Sequence, residues 1–162
     1  MKIISSFLFA IAIFLFVACR SPKDQSPVFD LEHDLTTEQI DSFEHLFAIH
    51  KERTGNELAL VTTPDYKPEK NIEKFSLRFA NEHGIGEKEK NNGLLVCFSR
   101  AKHQVRISTG YGLENILTDD KAQKIIDSIM IPEFREDRTF EGLAKGFTAI
   151  TEFLERPENK LK

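Results

Sequence analysis

Tryptophan is absent from this chain of 162 residues, cysteine occurs only twice, and a single hydrophobic run is long. That run starts at Ile3, and no later segment has the roughly 20 apolar residues that a membrane-spanning helix needs. The net charge is −4 and no block of basic residues is present, which argues against nucleic-acid binding. Internal repeats and low-complexity segments are also missing. The sequence therefore predicts one globular domain of ordinary size.

The amino-terminal end has the pattern of a secretory leader. A lysine is followed by an uncharged run from Ile3 to Ala18, which is somewhat short for a spanning helix. Ala18 directly precedes Cys19, the arrangement that marks lipoprotein processing, although a phenylalanine stands where leucine is usual in the lipobox. We therefore predict a signal peptide over residues 1–18 and lipidation of Cys19. The alternative is an uncleaved signal anchor.

Lipidation predicts where the protein is held. Each buried CH₂ of an acyl chain contributes about 0.8 kcal/mol, and stable anchoring takes more than one chain. Residues 19–27 form a polar, proline-containing tether. Arg20 follows the cysteine, in place of the aspartate that retains some lipoproteins in the inner membrane, so the outer membrane is the expected location. Cys97 is the only other cysteine, which excludes an internal disulfide, and its apolar neighbours predict a buried side chain.

Apolar residues at helical spacing predict four helices. The first begins with a capping box of Thr36 and Gln39, and the third with a cap at Thr118. His50 and His83 each end an apolar stripe, which predicts partly exposed imidazoles near helix carboxyl ends. Glycines four apart on the last helix predict the close approach of another element. The predicted helices run from Thr36 to Gly55, from Asn71 to Gly84, from Thr118 to Pro132 and from Thr139 to Leu154.

Three β-rich segments predict strands at residues 58–63, 93–99 and 104–109. The short link over residues 100–103 makes the last two a hairpin, and the helix between the first two makes a right-handed crossover. The predicted fold class is α/β, a small mixed sheet sandwiched between helices.

The hairpin also predicts a site. Because its strands are antiparallel, residues 91–93 lie beside residues 110–114, and the third helix starts nearby at residues 119–120. We call these three segments the rim. Oxygen donors in the rim suit a hard cation such as Ca²⁺, and its glycines allow tight backbone turns. The candidate ligands are Asn91, Asn92, Glu114, Asp119 and Asp120. Each segment of the rim also has an ordinary structural explanation. Residues 91–93 have a common turn sequence, residues 119–120 suit the start of a helix, and the tyrosine at position 111 could pack against the domain.

Several motifs resemble those of the TPM domain family, in order and spacing. They span residues 28–153, and the most specific are Gly110 to Glu114 and the Thr118-Asp119 pair. The resemblance implies a Rossmann-like three-layer α/β/α sandwich, here over residues 28–156, followed by a tail at residues 157–162. It also implies a calcium site at the rim and acid phosphatase activity, which are described for some members. Asn91 stands where many members have aspartate, which weakens the case for tight calcium binding.

The sequence is compatible with two different functions. The first is a tethered interaction or maintenance module for an envelope or membrane protein complex. The second is a phosphomonoester hydrolase, which needs a nucleophile or activated water and positive charge at the transferred group. Only Arg135 and Lys121 offer that charge, and no Cys-x5-Arg loop, paired histidine motif or Walker loop occurs. Arg135 facing Asp119 would favour the enzyme, and a rim of oxygens alone would favour the module. A structural lipoprotein without a site is the third possibility. Further rim candidates are Gly110, Tyr111, Gly112 and Arg135.

Overall fold

Four short strands form the sheet that positions every other element. The structure is a computed structural model and describes residues 26–161, so the predicted signal peptide, Cys19 and most of the tether lie outside the described residues. The strands lie side by side in sequence order, with two parallel pairings followed by one antiparallel pairing. The small mixed sheet and the hairpin are thereby confirmed. The strands are β1 Val28–Asp30, β2 Glu57–Thr62, β3 Gly93–Ser99 and β4 Gln104–Thr109.

Strand β1 was not predicted from the sequence, because a segment of three residues is too short to show an alternating pattern. Its conformation is imposed by parallel pairing with β2, in which Val28 lies opposite Leu60. Leu60 donates its N–H to the carbonyl of Pro27 at 2.9 Å, which extends the pairing by one residue. Asp30 then ends the strand and accepts the N–H groups of Asp34 and Leu35 in the following turn.

The central strands are buried on both faces because helices cover both sides of the sheet. Even-numbered residues of β2 and β3 face one core with helix α1, Thr37–Thr54. Odd-numbered residues of the same strands face a second core with helix α2, Ile72–His83. The chain crosses from β1 to β2 through α1, and then in the same direction along the sheet from β2 to β3 through α2. Two such crossovers of the same hand would place both helices on the same face of the sheet. The two crossovers here therefore have opposite hands, and the result is the predicted three-layer α/β/α sandwich.

Local signals explain the bounds of the first two helices. Thr36 caps α1 in the predicted capping box with Gln39, and Gly55 ends it in the left-handed conformation with a φ of 79°. Asn71 caps α2 through the N–H of Lys74, and Gly84 ends that helix in the same way. Both helices thus begin and end at the predicted residues.

The next helical segment runs further than predicted. It consists of α3 Tyr111–Glu114, α4 Asp119–Ile125, a π-helical turn at Ile126–Met130, and α5 Ile131–Arg135. A proline was expected to end it, but Pro132 lies in the first turn of α5 directly after the π-helical turn. At that position a missing N–H breaks no hydrogen bond within the helix. The prediction of a helix end at Pro132 is therefore wrong, and the segment reaches Arg135.

Helix α6, Thr139–Leu154, packs against this segment through its glycines. A Cβ atom added to Gly142 would lie 2.4 Å from the Phe134 ring, and one added to Gly146 would lie 2.8 Å from Met130. The predicted close approach is confirmed. After α6 a short 3₁₀ turn, Pro157–Asn159, folds back on the domain.

Burial corrects one prediction and confirms another. His50 is fully buried and not partly exposed, because it faces the end of α6, where its Nδ1 lies 3.1 Å from Glu155 Oε1. Cys97 is buried as predicted, and desolvation raises the pKa of its thiol to about 12. Across residues 26–161, no helix is long and apolar enough to cross a membrane.

Candidate functional site

The rim lies where the parallel strands β2 and β3 begin, and backbone hydrogen bonds join its segments. Gly110 donates its N–H to the carbonyl of Gly93 at 2.8 Å, and Gly112 donates to that of Asn91 at 3.0 Å. The antiparallel hairpin therefore brings residues 91–93 and 110–114 together, as its topology requires.

Two glycines are needed here for steric reasons. A Cβ atom added to Gly110 would lie 2.3 Å from the Asn91 carbonyl oxygen, and one added to Gly112 would lie 2.2 Å from that of Lys90. Backbone meets backbone at both points, so a side chain would force the two segments apart. The glycines thus seat α3 against the loop before β3 and fix the position of Tyr111 between them.

The two asparagines of the rim have different roles. Asn92 is 1% exposed, its Oδ1 accepts the N–H of Glu87, and its Nδ2 donates to the carbonyl of Gly55. Its side chain therefore holds three segments together and is not presented to solvent. Asn91 is exposed and has a φ of 49°, a left-handed conformation that asparagine tolerates better than most residues.

The acidic residues of the rim point to solvent. Glu114, Asp119 and Asp120 are all exposed, and the latter two occupy the first turn of α4, where they complement the helix dipole. Among residues 26–161, no three Asp, Glu, His or Cys side chains come together as a group that could hold a metal ion. This donor set does not fit a tight calcium site.

Tyr111 is the outstanding apolar feature of the rim. Its side chain is 78% exposed, and it is therefore not packed on the domain. Exposed aromatic side chains on a rigid backbone are frequent anchors of protein interfaces, because they lose little conformational entropy on binding.

Neither cation considered for phosphoryl transfer is available at the rim. Arg135 ends the helical segment that Asp119 begins, roughly 24 Å away at 1.5 Å per residue. It lies near the start of β4, at the other end of the sheet. Lys121 donates to the carbonyl of Ile116 at 2.8 Å and lies over the ring of Phe153. Arg135 is therefore not a rim residue, because the helix continues through Pro132.

Sequence reasoning missed a buried amide beside the rim. Asn56 precedes β2, is 1% exposed, and has no hydrogen-bond partner for either side-chain atom among the described residues. A buried amide without partners is costly, so it marks a polar spot that the surrounding side chains do not satisfy. No local pattern in the sequence distinguishes this asparagine from a turn residue.

An open groove adjoins the rim at the same end of the sheet. It has a volume of about 930 Å³ and runs between α1, the start of β1 and the loop after α2. Its walls are mostly apolar, with Phe29, Phe47 and Ile85 among them, and charged residues of both signs, including Glu87 and Lys51, also line it. Ser26, where the described chain begins, also lines it.

The fold and the rim together define a three-layer α/β domain in which an exposed tyrosine stands between two glycines in the rim. The sequence model of the TPM domain matches residues 28–153. The chain therefore belongs to the TPM domain family. Among the curated proteins, none matches it significantly.

Solved structures show the same fold. The N-terminal domain of a protein from P. gingivalis, solved in solution, is 30% identical with a TM-score of 0.73, over 87% of this chain and 95% of that one. The BA42 protein from Bizionia argentinensis is 14% identical with a TM-score of 0.65, over 82% and 88%. The N-terminal domain of the cg2496 protein from Corynebacterium glutamicum is 11% identical with a TM-score of 0.61, over 91% and 86%. The last two are similar in fold alone.

Proposed function

We propose that this protein is a lipid-anchored, extracytoplasmic TPM-domain module that binds an envelope or membrane protein through its rim. The observation that carries this proposal is the rim itself, in which Tyr111 is 78% exposed among carboxylates while Arg135 lies at the opposite end of the sheet. Oxygens and an exposed aromatic suit recognition. Phosphoryl transfer would need positive charge at the transferred group.

The position of the tether supports a partner close to the membrane. Acyl chains on Cys19 would hold the chain to a bacterial membrane, with the outer membrane as our proposed location. Ser26 lies seven positions after Cys19, and a fully extended chain of that length spans at most about 25 Å. Ser26 lines the groove beside the rim, so both surfaces would lie within reach of membrane proteins.

Calcium is a separate proposal. Exposed carboxylates at Glu114, Asp119 and Asp120, which do not come together as a metal-holding group among residues 26–161, suit the affinity range of extracellular calcium modules, about 10⁻⁴–10⁻³ M. At such affinity the ion would stabilise the rim without being required for the fold.

Anchoring is tested by labelling cells with radioactive palmitate. We expect the wild-type protein to carry the label and to remain with the membranes. Cys19→Ser is expected to lose both the label and the membrane association, whereas Cys97→Ser, the matched control, is expected to keep the label. A labelled Cys19→Ser protein, or an unlabelled wild type, would contradict lipid anchoring.

A further inference from the structure

A second cavity lies at the end of the sheet opposite the rim. It has a volume of about 330 Å³ and is enclosed by the β3–β4 hairpin and the junction between α5 and α6. We call it the hairpin pocket. It opens beyond the carboxyl end of β3, the side of an open α/β sheet where ligands usually bind.

The interior of the hairpin pocket is aromatic. The rings of Phe98 and Phe134 lie 4.7 Å apart, and Val105 and Ile131 complete the apolar lining. Phe98 is only 4% exposed and belongs to the core, and Phe134, which packs on it, is half-buried and offers the more accessible ring. A pocket of this size accepts a small flat molecule and excludes a folded protein segment.

The edge of the hairpin pocket is formed by residues in an unusual backbone conformation. His103 has a φ of 52° and Asp137 a φ of 62°, and both line the pocket. Left-handed conformations at residues other than glycine are uncommon and cluster at binding sites. Two of them thus line one cavity.

Two arginines give the hairpin pocket its charge. Arg100 is held in place by Asp34 at 2.9 Å and by the Thr139 hydroxyl at 2.6 Å, and it reaches the exposed Asp137 only at 3.6 Å. Arg135 is exposed and makes no ion pair or hydrogen bond with any residue of the described chain. One guanidinium held by an ion pair and another without a partner among the described residues thus line the same cavity as two phenylalanines, and such a set of groups suits a planar acid group on an aromatic body.

We propose that the hairpin pocket binds a small organic anion with a flat apolar body. The body would pack on Phe98 and Phe134, and the acid group would meet the guanidinium of Arg135, with Arg100 beside it. The protein as a whole has a net charge of −4 and repels anions, so binding there requires these local cations. This site is independent of the rim, and either proposal can fail without the other.

The segment of residues 20–162, without the predicted signal peptide and Cys19, is suitable for the test. Both cores lie within residues 26–161, and the related P. gingivalis domain was solved in solution as a separate domain. The probes are 2-naphthoate and the uncharged 2-naphthamide, which share one aromatic body. Their binding is followed by NMR chemical shifts, which report both the affinity and the residues involved.

We expect naphthoate to shift the signals of residues 98–105 and 131–139, and to bind roughly tenfold more tightly than naphthamide because of its charge-assisted hydrogen bonds. Arg135→Gln is expected to remove that difference, and Lys124→Gln, an exposed control on the same helical segment, to keep it. Equal binding of the two probes, shifts outside the hairpin pocket, or equal effects of the two substitutions would overturn the proposal.

Discussion

At the scale of single residues, His50 shows how burial changes a side chain that the sequence assigned to the surface. It lies in the last turns of α1, and the helix rotates it towards α6, where Glu155 accepts its hydrogen bond and also pairs with Arg53 at 3.0 Å. The other ring nitrogen is buried and has no hydrogen-bond partner within residues 26–161. Desolvation lowers the pKa of His50 below its ordinary value of 6.5, against the raising effect of Glu155.

This burial predicts a pH dependence of stability. The folded protein favours the neutral form of His50 more strongly than the unfolded chain does, because the pKa of His50 is lower in the folded protein. The contribution of His50 to the free energy of unfolding is therefore fully present above pH 6.5 and is lost as the pH falls through the folded pKa. We expect the free energy of unfolding, measured with urea, to fall between pH 7.5 and pH 5.5. Carboxyl groups ordinarily titrate below this window.

The control for this experiment is another histidine of the same helix. His50→Gln should flatten the pH dependence between pH 7.5 and pH 5.5, whereas His45→Gln should leave it unchanged because His45 is exposed. An unaltered pH dependence in His50→Gln would show that other groups cause it.

At the scale of elements, the rim depends on close contact between α3 and the loop before β3. Gly110→Ala should cost about 1–3 kcal/mol of unfolding free energy, because its Cβ would meet the Asn91 carbonyl at 2.3 Å. Urea unfolding measures this loss. Gly84→Asn is the control: no atom lies within 4 Å of a Cβ there and asparagine tolerates its φ of 63°, so less than about 1 kcal/mol should be lost. Equal losses in the two variants would contradict the contact.

The calcium proposal also belongs to the rim. At a Kd near 1 mM, 10 mM Ca²⁺ adds about 1.4 kcal/mol, which raises Tm by roughly 3–8 °C in a domain of this size. Thermal unfolding with Ca²⁺ and with EDTA measures the shift, which Asp119→Ala should abolish and Asp127→Ala, an exposed acid further along the helical segment, should retain. A shift that survives Asp119→Ala, or no shift in the wild type, would exclude calcium at this position.

Helices and hairpin were predictable from the sequence because each has local signals. The capping box at Thr36, the glycine that ends α2 and the turn at residues 100–103 all agree with the structure. The hairpin register alone then places Gly110 beside Gly93, so the closeness of the two rim segments followed from topology.

Features that depend on tertiary context were not predictable. Strand β1 is too short to have a pattern, and its pairing with β2 is what defines it. The continuation of a helix past Pro132 depends on a π-helical turn, which no residue type in the sequence predicts. The continued helix places Arg135 far from Asp119. The missing partners of Asn56 are likewise a property of the packed core alone.

At the scale of the whole molecule, the two ends of the sheet have different characters. The rim and the groove lie at the end where the tether joins. The rim carries carboxylates, amides and an exposed tyrosine, and the groove is lined by both acidic residues and lysines. The hairpin pocket lies at the other end and carries two arginines over an aromatic floor. A lipid at Cys19 would therefore turn the rim towards neighbouring membrane proteins and leave the hairpin pocket open to small molecules.

The most direct test of the rim as an interaction surface is photo-crosslinking in living cells. A photoreactive phenylalanine replaces Tyr111 at the rim or, as the matched control, Leu77, which is 63% exposed on α2. We expect a discrete adduct with one envelope or membrane protein from position 111, none from position 77, and loss of the adduct when Cys19→Ser releases the protein from the membrane. The same adducts from both positions, or none from position 111 in the anchored protein, would contradict it.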